Sequence, residues 1–427
     1  MKIPFKLATS IFILLTLLTF ESISQNNTQS VYSRYGVGEL QGNNSCLNDA
    51  LGGSGIGLRD PFSMNFKNPA SLSSMLKQNV IFEFSLKTKG VSAESENSKS
   101  SYNLSNFNYL QIAFPVNNWY YMGFGIKPFS SIGYEIETSQ ELNGETVIDN
   151  FTGDGGISQI FFSNAIKPLK FLSLGFQASY LWGNMKRQYV SHLDYPNEQY
   201  ISVSSATIVN SRVKGLLWNF GLQAHPVWGE NFTGSLGITF DNQTKIQSYD
   251  SKIIYSKSLI NNLVKEDTIQ DNLSKKKQTD LPMGIGGGIS IQWKKKLTLL
   301  LDYRYENWEN LLVNDEPQAV YQNSSSVSLG LQYIPQIGSP KFFNNIRYRA
   351  GFFYSNSNLK ILGQSIQDKG VTFGLALPKK GSGTMTSVSF ILGQRGSTSN
   401  GLIRENYFQA CIALSLNDIW FIKRRYE

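Results

Sequence analysis

From residue 80 onward, apolar side chains recur at every second position in run after run. Val80, Phe82, Phe84 and Leu86 alternate with Glu83, Ser85 and Lys87. Leu297, Leu299, Leu301, Tyr303 and Tyr305 alternate with Thr298, Asp302, Arg304 and Glu306, and Phe408, Ala410, Ile412, Leu414 and Leu416 with Gln409, Ala413 and Ser415. Period two means a strand with one apolar and one polar face. A soluble sandwich shows the same pattern with its apolar face buried. The runs, however, reach the ~9–11 residues of a tilted membrane strand, longer than most soluble strands. Tyr, Trp and Phe gather at the run ends, as in interfacial girdles. The expectation is a barrel whose apolar face points outward into lipid.

Strands are expected at 80–87, 102–114, 119–138, 157–167, 171–183, 211–225, 231–249, 281–293, 296–308, 325–334, 344–354, 369–378, 384–394 and 404–416. Short connections (Pro115 to Asn118, Pro168 to Lys170, Pro226 to Glu230, Lys294 to Lys296) alternate with long ones (Thr88 to Ser101, Asn184 to Asn210, Asp250 to Asp280, Glu309 to Ser324). Short periplasmic turns alternating with long outer loops mark outer-membrane barrels. The fold class expected is all-β, a 14-stranded antiparallel transmembrane barrel; a hairpin hidden in a loop would change the count to twelve or sixteen. An even number puts both ends of the wall on the periplasmic side.

The N-terminus reads as an export signal. Lys2 and Lys6 precede an apolar run from Ile11 to Phe20, and Ser22-Ile23-Ser24 fits a cleavage site, so residues 1–24 form a signal peptide. After Phe20 no stretch approaches the ~20 apolar residues of a spanning helix. The net charge is +8, with short basic clusters such as Lys275-Lys276-Lys277 and Lys423-Arg424-Arg425 beside turns or the C-terminus. In an exported chain these read as solvated turns or headgroup contacts, with no nucleic-acid partner. Residues 78–422 form the barrel and 423–427 a tail.

Residues 25–77 do not alternate. Ala50-Leu51-Gly52-Gly53-Ser54-Gly55-Ile56-Gly57 is too small and flexible for a membrane strand. Asn68-Pro69 has the form of a helix start, cap then first-turn proline, with Ala70 to Met75 following. So short a segment buries little core of its own and is expected to dock in the barrel interior as a hatch. Pro128 interrupts the third run. Either one strand kinks there and leaves a gap in the wall, or two strands turn at Pro128-Phe129.

These pieces resemble the FadL/TodX family of outer-membrane transporters for hydrophobic compounds. The resemblance rests on the leader, the glycine-rich segment with Gly52, Gly53 and Gly55, and Asn68-Pro69-Ala70 ahead of the first strand. Tyr32-Ser33-Arg34-Tyr35-Gly36 and Trp420-Phe421-Ile422-Lys423-Arg424 are similar to uncharacterised Bacteroidetes-type barrels. The resemblance implies a hatch carrying an Asn-Pro-Ala motif. It also implies a kinked third strand that opens sideways, at Gly123, Gly125, Pro128 and Phe129. The ligand-pocket residues of that family have no match in the loops.

The implied function is passive uptake of hydrophobic small molecules, such as long-chain fatty acids or aromatic hydrocarbons, across the outer membrane of a Gram-negative cell. The expected partners are that ligand and outer-membrane lipid; no cofactor or metal cluster is visible, and the oligomeric state is not readable. Two other readings stand: a non-transporting barrel acting as scaffold or secretion component, and a hydrolase. The hydrolase requires a Ser within hydrogen-bond reach of His192 or His225, the only histidines. Met283-Gly284-Ile285-Gly286-Gly287-Gly288 lacks the Lys-Ser/Thr of a phosphate loop and reads as small residues packing inside the wall. Glu83, Asp302, Arg304, Glu306, Arg347 and Arg349 share the inward parity, either as ordinary lumen polarity and salt bridges to the hatch or as a lining for a fatty-acid carboxylate. Cys411 also points inward and Cys46 lies in the hatch; they are either independent or a tether between hatch and wall.

Overall fold

The structure is a computed structural model that describes residues 30–420, except 97, 195–202, 229–230, 261–262, 310–311, 314–315, 318–319 and 381–382. The leader at 1–24 and the tail at 423–427 lie outside the described residues.

Fourteen antiparallel strands close into one barrel. They are β1 Asn79–Glu94, β2 Lys99–Pro115, β3 Tyr120–Leu142, β4 Glu145–Leu169, β5 Leu172–Asp194 and β6 Val203–Ala224. β7 runs in two pieces, Phe232–Asp241 and Thr244–Ile260, as does β8, Leu263–Leu281 and Gly284–Trp293. Then come β9 Leu297–Glu306, β10 Ser324–Tyr333, β11 Arg347–Ile361, β12 Gln364–Pro378, β13 Met385–Arg395 and β14 Arg404–Ile419. The breaks in β7 and β8 face each other, and Pro282 supplies no N–H for the ladder there. β14 closes on β1, in register from Asn79↔Ile419 to Glu94↔Arg404. Closure removes the sheet edges, which hydrocarbon does not tolerate.

The alternation resolves as expected for lipid outside. Phe82, Phe84 and Leu86 are exposed while Glu83 and Ser85 are buried, and on β14 Phe408, Ile412, Leu414 and Leu416 are exposed while Cys411, Ala413 and Ser415 are buried. Exposed Trp119, Phe171, Phe232, Trp293, Tyr333 and Trp420 ring the end where the short turns lie. No helix among the described residues is long and apolar enough to cross a membrane.

The outer end departs from expectation. The long loops expected at Thr88 to Ser101, Asn184 to Asn210 and Asp250 to Asp280 are mostly hairpin: β1, β5 and β7 run on to Glu94, Asp194 and Ile260 before turning. Above the lipid both faces of a strand meet water, so the apolar period ends while the backbone ladder continues. β3 to β6 have 23, 25, 23 and 22 residues, but β9 and β10 only 10 each, so the rim is high on one side and low on the other.

Residues 30–78 lie against the inner wall. Glu39–Leu40 pair with Ser131 and Ser130 of β3. A one-turn helix, Cys46–Asp49, is closed by a Ser45/Asn48 capping box. Asn68 caps a 3-10 helix over Pro69–Ser74, its side chain accepting from Ala70 N at 3.0 Å. Glycines in the wall make room for this segment. Gly175 faces Gly221, Gly237 faces Gly288, and Gly330 faces Gly351 across neighbouring strands. A Cβ at these positions would strike the segment: Pro69 and Ala70 at Gly175, Asn68 at Gly221, Ile56 at Gly237 and Gly288, Leu51 at Gly330, and Leu51 with Gly52 at Gly351.

Candidate functional site

β2 and β3 pair only from Leu110↔Ile126 to Pro115↔Tyr121. Beyond that point they part, and each strand carries an extra residue at the parting. In β2 it is Asn108, since Ser85↔Tyr109 is followed by Leu86↔Phe107. In β3 it is Phe129, between Pro128↔Ser158 and Ser130↔Ile157. A bulge bends its strand and breaks the ladder, and Pro128 has no N–H to offer β2. β3 is nevertheless continuous through Pro128, which decides against two strands turning there. The edge of β3 beyond the parting is taken by Glu39–Leu40 from inside.

A cavity of about 530 Å³ lies behind the parting. Its outer lining is Leu104, Asn106 and Phe107 of β2 with Ile126, Lys127 and Pro128 of β3. Its inner lining includes Glu39, Gln41, Asp49, Lys67, Lys87 and Arg395. Lys127 Nζ donates to Asn43 Oδ1 at 2.6 Å and lies 4.3 Å from the centre of the Phe66 ring. Lys87 Nζ donates to Gln41 Oε1 at 3.1 Å. Arg395 bonds Glu39 at 2.7 Å and Asp368 at 3.0 Å, and Lys89 meets Glu39 at 3.1 Å. Burial alone would raise the Glu39 carboxyl, but Arg395 and Lys89 hold it down at about 2. Burial, and then Arg304, push the Lys67 ammonium below its ordinary value. A second cavity of about 330 Å³ shares Leu40, Gln41, Gly42 and Lys67 with the first and reaches Asp241, Arg304 and Glu306.

The six inward charges expected from parity divide into two groups. Four bind the N-terminal segment. Asp302 Oδ2 accepts from Gly55 N at 2.6 Å and Ile56 N at 2.8 Å. Arg347 meets Asp60 at 2.5 Å. Glu83 accepts from Tyr109 Oη at 2.5 Å and Met64 N at 3.3 Å. Arg349 does so more loosely, reaching Asp60 at 4.0 Å while donating to Gln332 at 2.9 Å. The other two satisfy one another and the wall, Arg304 bridging Asp241 and Glu306. Of the residues expected at the sideways opening, only Pro128 lines the first cavity. Phe129 lines the second. Gly123 and Gly125 sit where β3 still pairs with β2, and their inner sides meet Met64 and Leu72, and Phe161. Asn68 joins segment to wall, donating to Ile56 O at 3.0 Å and Leu222 O at 3.1 Å.

The decisive comparison is with a protein family. The chain matches the BamG family model over residues 6–427. It belongs to the BamG family. Among solved structures, this BamG-family chain is similar to the toluene transporter TbuX of Ralstonia pickettii, with a TM-score of 0.59 and 15% identity, covering 88% of this chain and 98% of that one. It is similar to the toluene transporter TodX of Pseudomonas putida, with a TM-score of 0.59 and 16% identity, covering 91% and 100%. A FadL homologue of Pseudomonas aeruginosa gives 0.58 and 10%, covering 90% and 100%. At such identities the likeness is one of fold, an outer-membrane-type barrel. No curated protein matches the chain.

The BamG-family chain does place a serine beside a histidine. Ser173 Oγ lies 3.1 Å from His225 Nε2. The surroundings oppose nucleophile activation. Burial, then Arg59 and Lys167, push the imidazole down to about 4, where a carboxylate partner would raise it. Ser173 is fully buried and also bonds Ser73 at 2.7 Å. Cys46 and Cys411 are both free and buried. They come together: Cys46 Sγ lies 3.4 Å from Cys411 O, and Cys411 Sγ lies 3.1 Å from Ser85 Oγ. Sequence reasoning missed the lysines of the first cavity. The signal was available, because Lys87 and Lys127 share the inward parity and Lys127 directly precedes Pro128.

Proposed function

We propose that this chain is an outer-membrane channel for passive uptake of hydrophobic small molecules, with long-chain fatty acids and aromatic hydrocarbons as the candidate class. The observation that carries the reading is the parting of β2 and β3 at two bulges, with a cavity directly behind it. A ligand entering from the outer rim reaches this cavity and leaves sideways into the bilayer past Pro128. Residues 25–77 act as the hatch that closes the axial route; supporting this, the Gly55, Ile56 and Met64 amides bond wall carboxylates Asp302 and Glu83, and Asp60 pairs with Arg347. The toluene transporters of like fold support the reading. It needs no cofactor, no energy coupling and no enzymatic step, and it places the chain in a Gram-negative, Bacteroidetes-type outer membrane, delivered by its leader.

The test is uptake of labelled oleate and toluene by cells with the protein, without it, and with Pro128→Ala or Asn68→Ala. Uptake that depends on the protein and changes with Pro128→Ala supports the channel; equal uptake in cells lacking the protein rejects it. The firmly bonded hatch also favours a second reading, a non-transporting scaffold. Unchanged uptake together with a stoichiometric co-purifying partner selects that one.

A further inference from the structure

The first cavity holds more positive charge than its own anions balance. Glu39 is taken by Lys89 and Arg395, and Asp368 by Arg395. Of the carboxylates lining this cavity only Asp49 is left for Lys67, Lys87 and Lys127, three positive charges against one negative. Lys67 also feels Asp302 and Glu306, but these are engaged by the Gly55 and Ile56 amides and by Arg304. None of the three makes a salt bridge among the described residues. Lys87 and Lys127 give single hydrogen bonds to neutral amide oxygens, Lys127 also lying over the Phe66 ring, and the Lys67 ammonium has no hydrogen-bond partner among the described residues. Each ammonium has three donors. Like charges gathered in a buried cavity and left short of acceptors cost stability. A purely structural cluster would be paired, as Glu39 and Arg395 are.

The other half of the site is apolar and open to the wall. Leu104 and Phe107 on one edge and Ile126 on the other border the parting, and Phe107 is 40% exposed on the lipid side.

We propose that this cavity binds the phosphate of a membrane amphiphile, with Lys67, Lys87 and Lys127 as its cationic wall and the parted edges of β2 and β3 holding the tail. A phosphate monoester carries about −1.5 to −2 at neutral pH and three acceptor oxygens, which matches the excess charge better than a carboxylate does. The proposal rests on the parting being open to the bilayer, as the uptake reading has it.

The experiment uses the full chain in neutral detergent, titrated with dodecyl phosphate, dodecanoate, dodecanol, inorganic phosphate and toluene. Dodecyl phosphate should bind about tenfold tighter than dodecanoate and weaken in high salt. Lys87→Gln and Lys127→Gln should each weaken it about tenfold. Lys127→Arg should retain most of the affinity, and heat-modifiable gel mobility verifies that each variant is folded. Equal affinity for dodecyl phosphate and dodecanol, or no loss in either Gln variant, overturns the site. Inorganic phosphate binding as tightly as dodecyl phosphate overturns the amphiphile in favour of a free anion. Toluene uptake through the protein without dodecyl phosphate binding overturns this site and leaves the channel standing; binding without any uptake does the reverse.

Discussion

Gly351→Ala is the sharpest perturbation of the contact between residues 30–78 and the wall. Gly351 sits on the inner face of β11, and a Cβ there would meet only backbone: Gly52 Cα at 2.8 Å, with Gly52 N and Leu51 C closer still. The segment cannot retreat freely. Gly52 holds a left-handed turn at φ +67, and its N–H donates to Thr372 Oγ1 at 2.9 Å. Overpacking of this kind costs about 1–3 kcal/mol, and losing the buried bond adds about 1 kcal/mol. The stiffer unfolded chain returns about 0.4–1 kcal/mol. The net expectation is a destabilisation of about 1–3 kcal/mol. Gly287→Ala is the control, because Gly287 faces outward and a Cβ there meets nothing within 4 Å; it should be neutral or slightly stabilising. Urea unfolding in detergent, read by tryptophan fluorescence, measures both, and limited proteolysis reports whether residues 30–78 have come loose. If the two variants unfold together and resist protease alike, the glycine positions are not where the N-terminal segment meets the wall.

Asp302→Ala leaves the Gly55 and Ile56 amides without their acceptor, and should destabilise by about 2–5 kcal/mol in the same urea assay; a change under about 0.5 kcal/mol contradicts the pairing. Glu39 has its carboxyl lowered from 4.5 to about 2, so its contribution is full above the ordinary carboxylate value and fades as pH falls toward 2. That shift corresponds to about 3 kcal/mol; Glu39→Gln should flatten the corresponding part of the acid-stability curve, and an unchanged curve refutes the assignment. Burial raises the Cys46 thiol above its ordinary value. Both thiols should therefore resist maleimide in the folded chain and react on unfolding, and rapid labelling of the folded chain contradicts their burial.

Much of the wall was legible because lipid enforces a rule on every strand. Phe82, Glu83, Phe84 and Ser85 state it, and each expected strand overlaps one observed strand in the same order. The rule lapses above the bilayer, so Asn184 to Asp194 and Asp250 to Ile260 gave no sign of being strand. The glycines pairing across the wall were equally silent, because a missing side chain does not show in a period of apolar ones. Parity showed that Arg347 and Asp302 face inward. It did not show that their partners are Asp60 and two backbone amides of the N-terminal segment. Ser173 and His225 lie 52 positions apart, and only the register of β5 and β6 brings them together.

The N-terminal segment touches the very last strand: Ser30 Oγ donates to Glu405 at 2.7 Å, and Cys46 rests on Cys411. A half-built cylinder therefore offers its leading segment no complete berth. Maturation runs against chain order, the earliest residues settling only after β14 has met β1, so a protein stalled during insertion would show its N-terminal portion to periplasmic proteases.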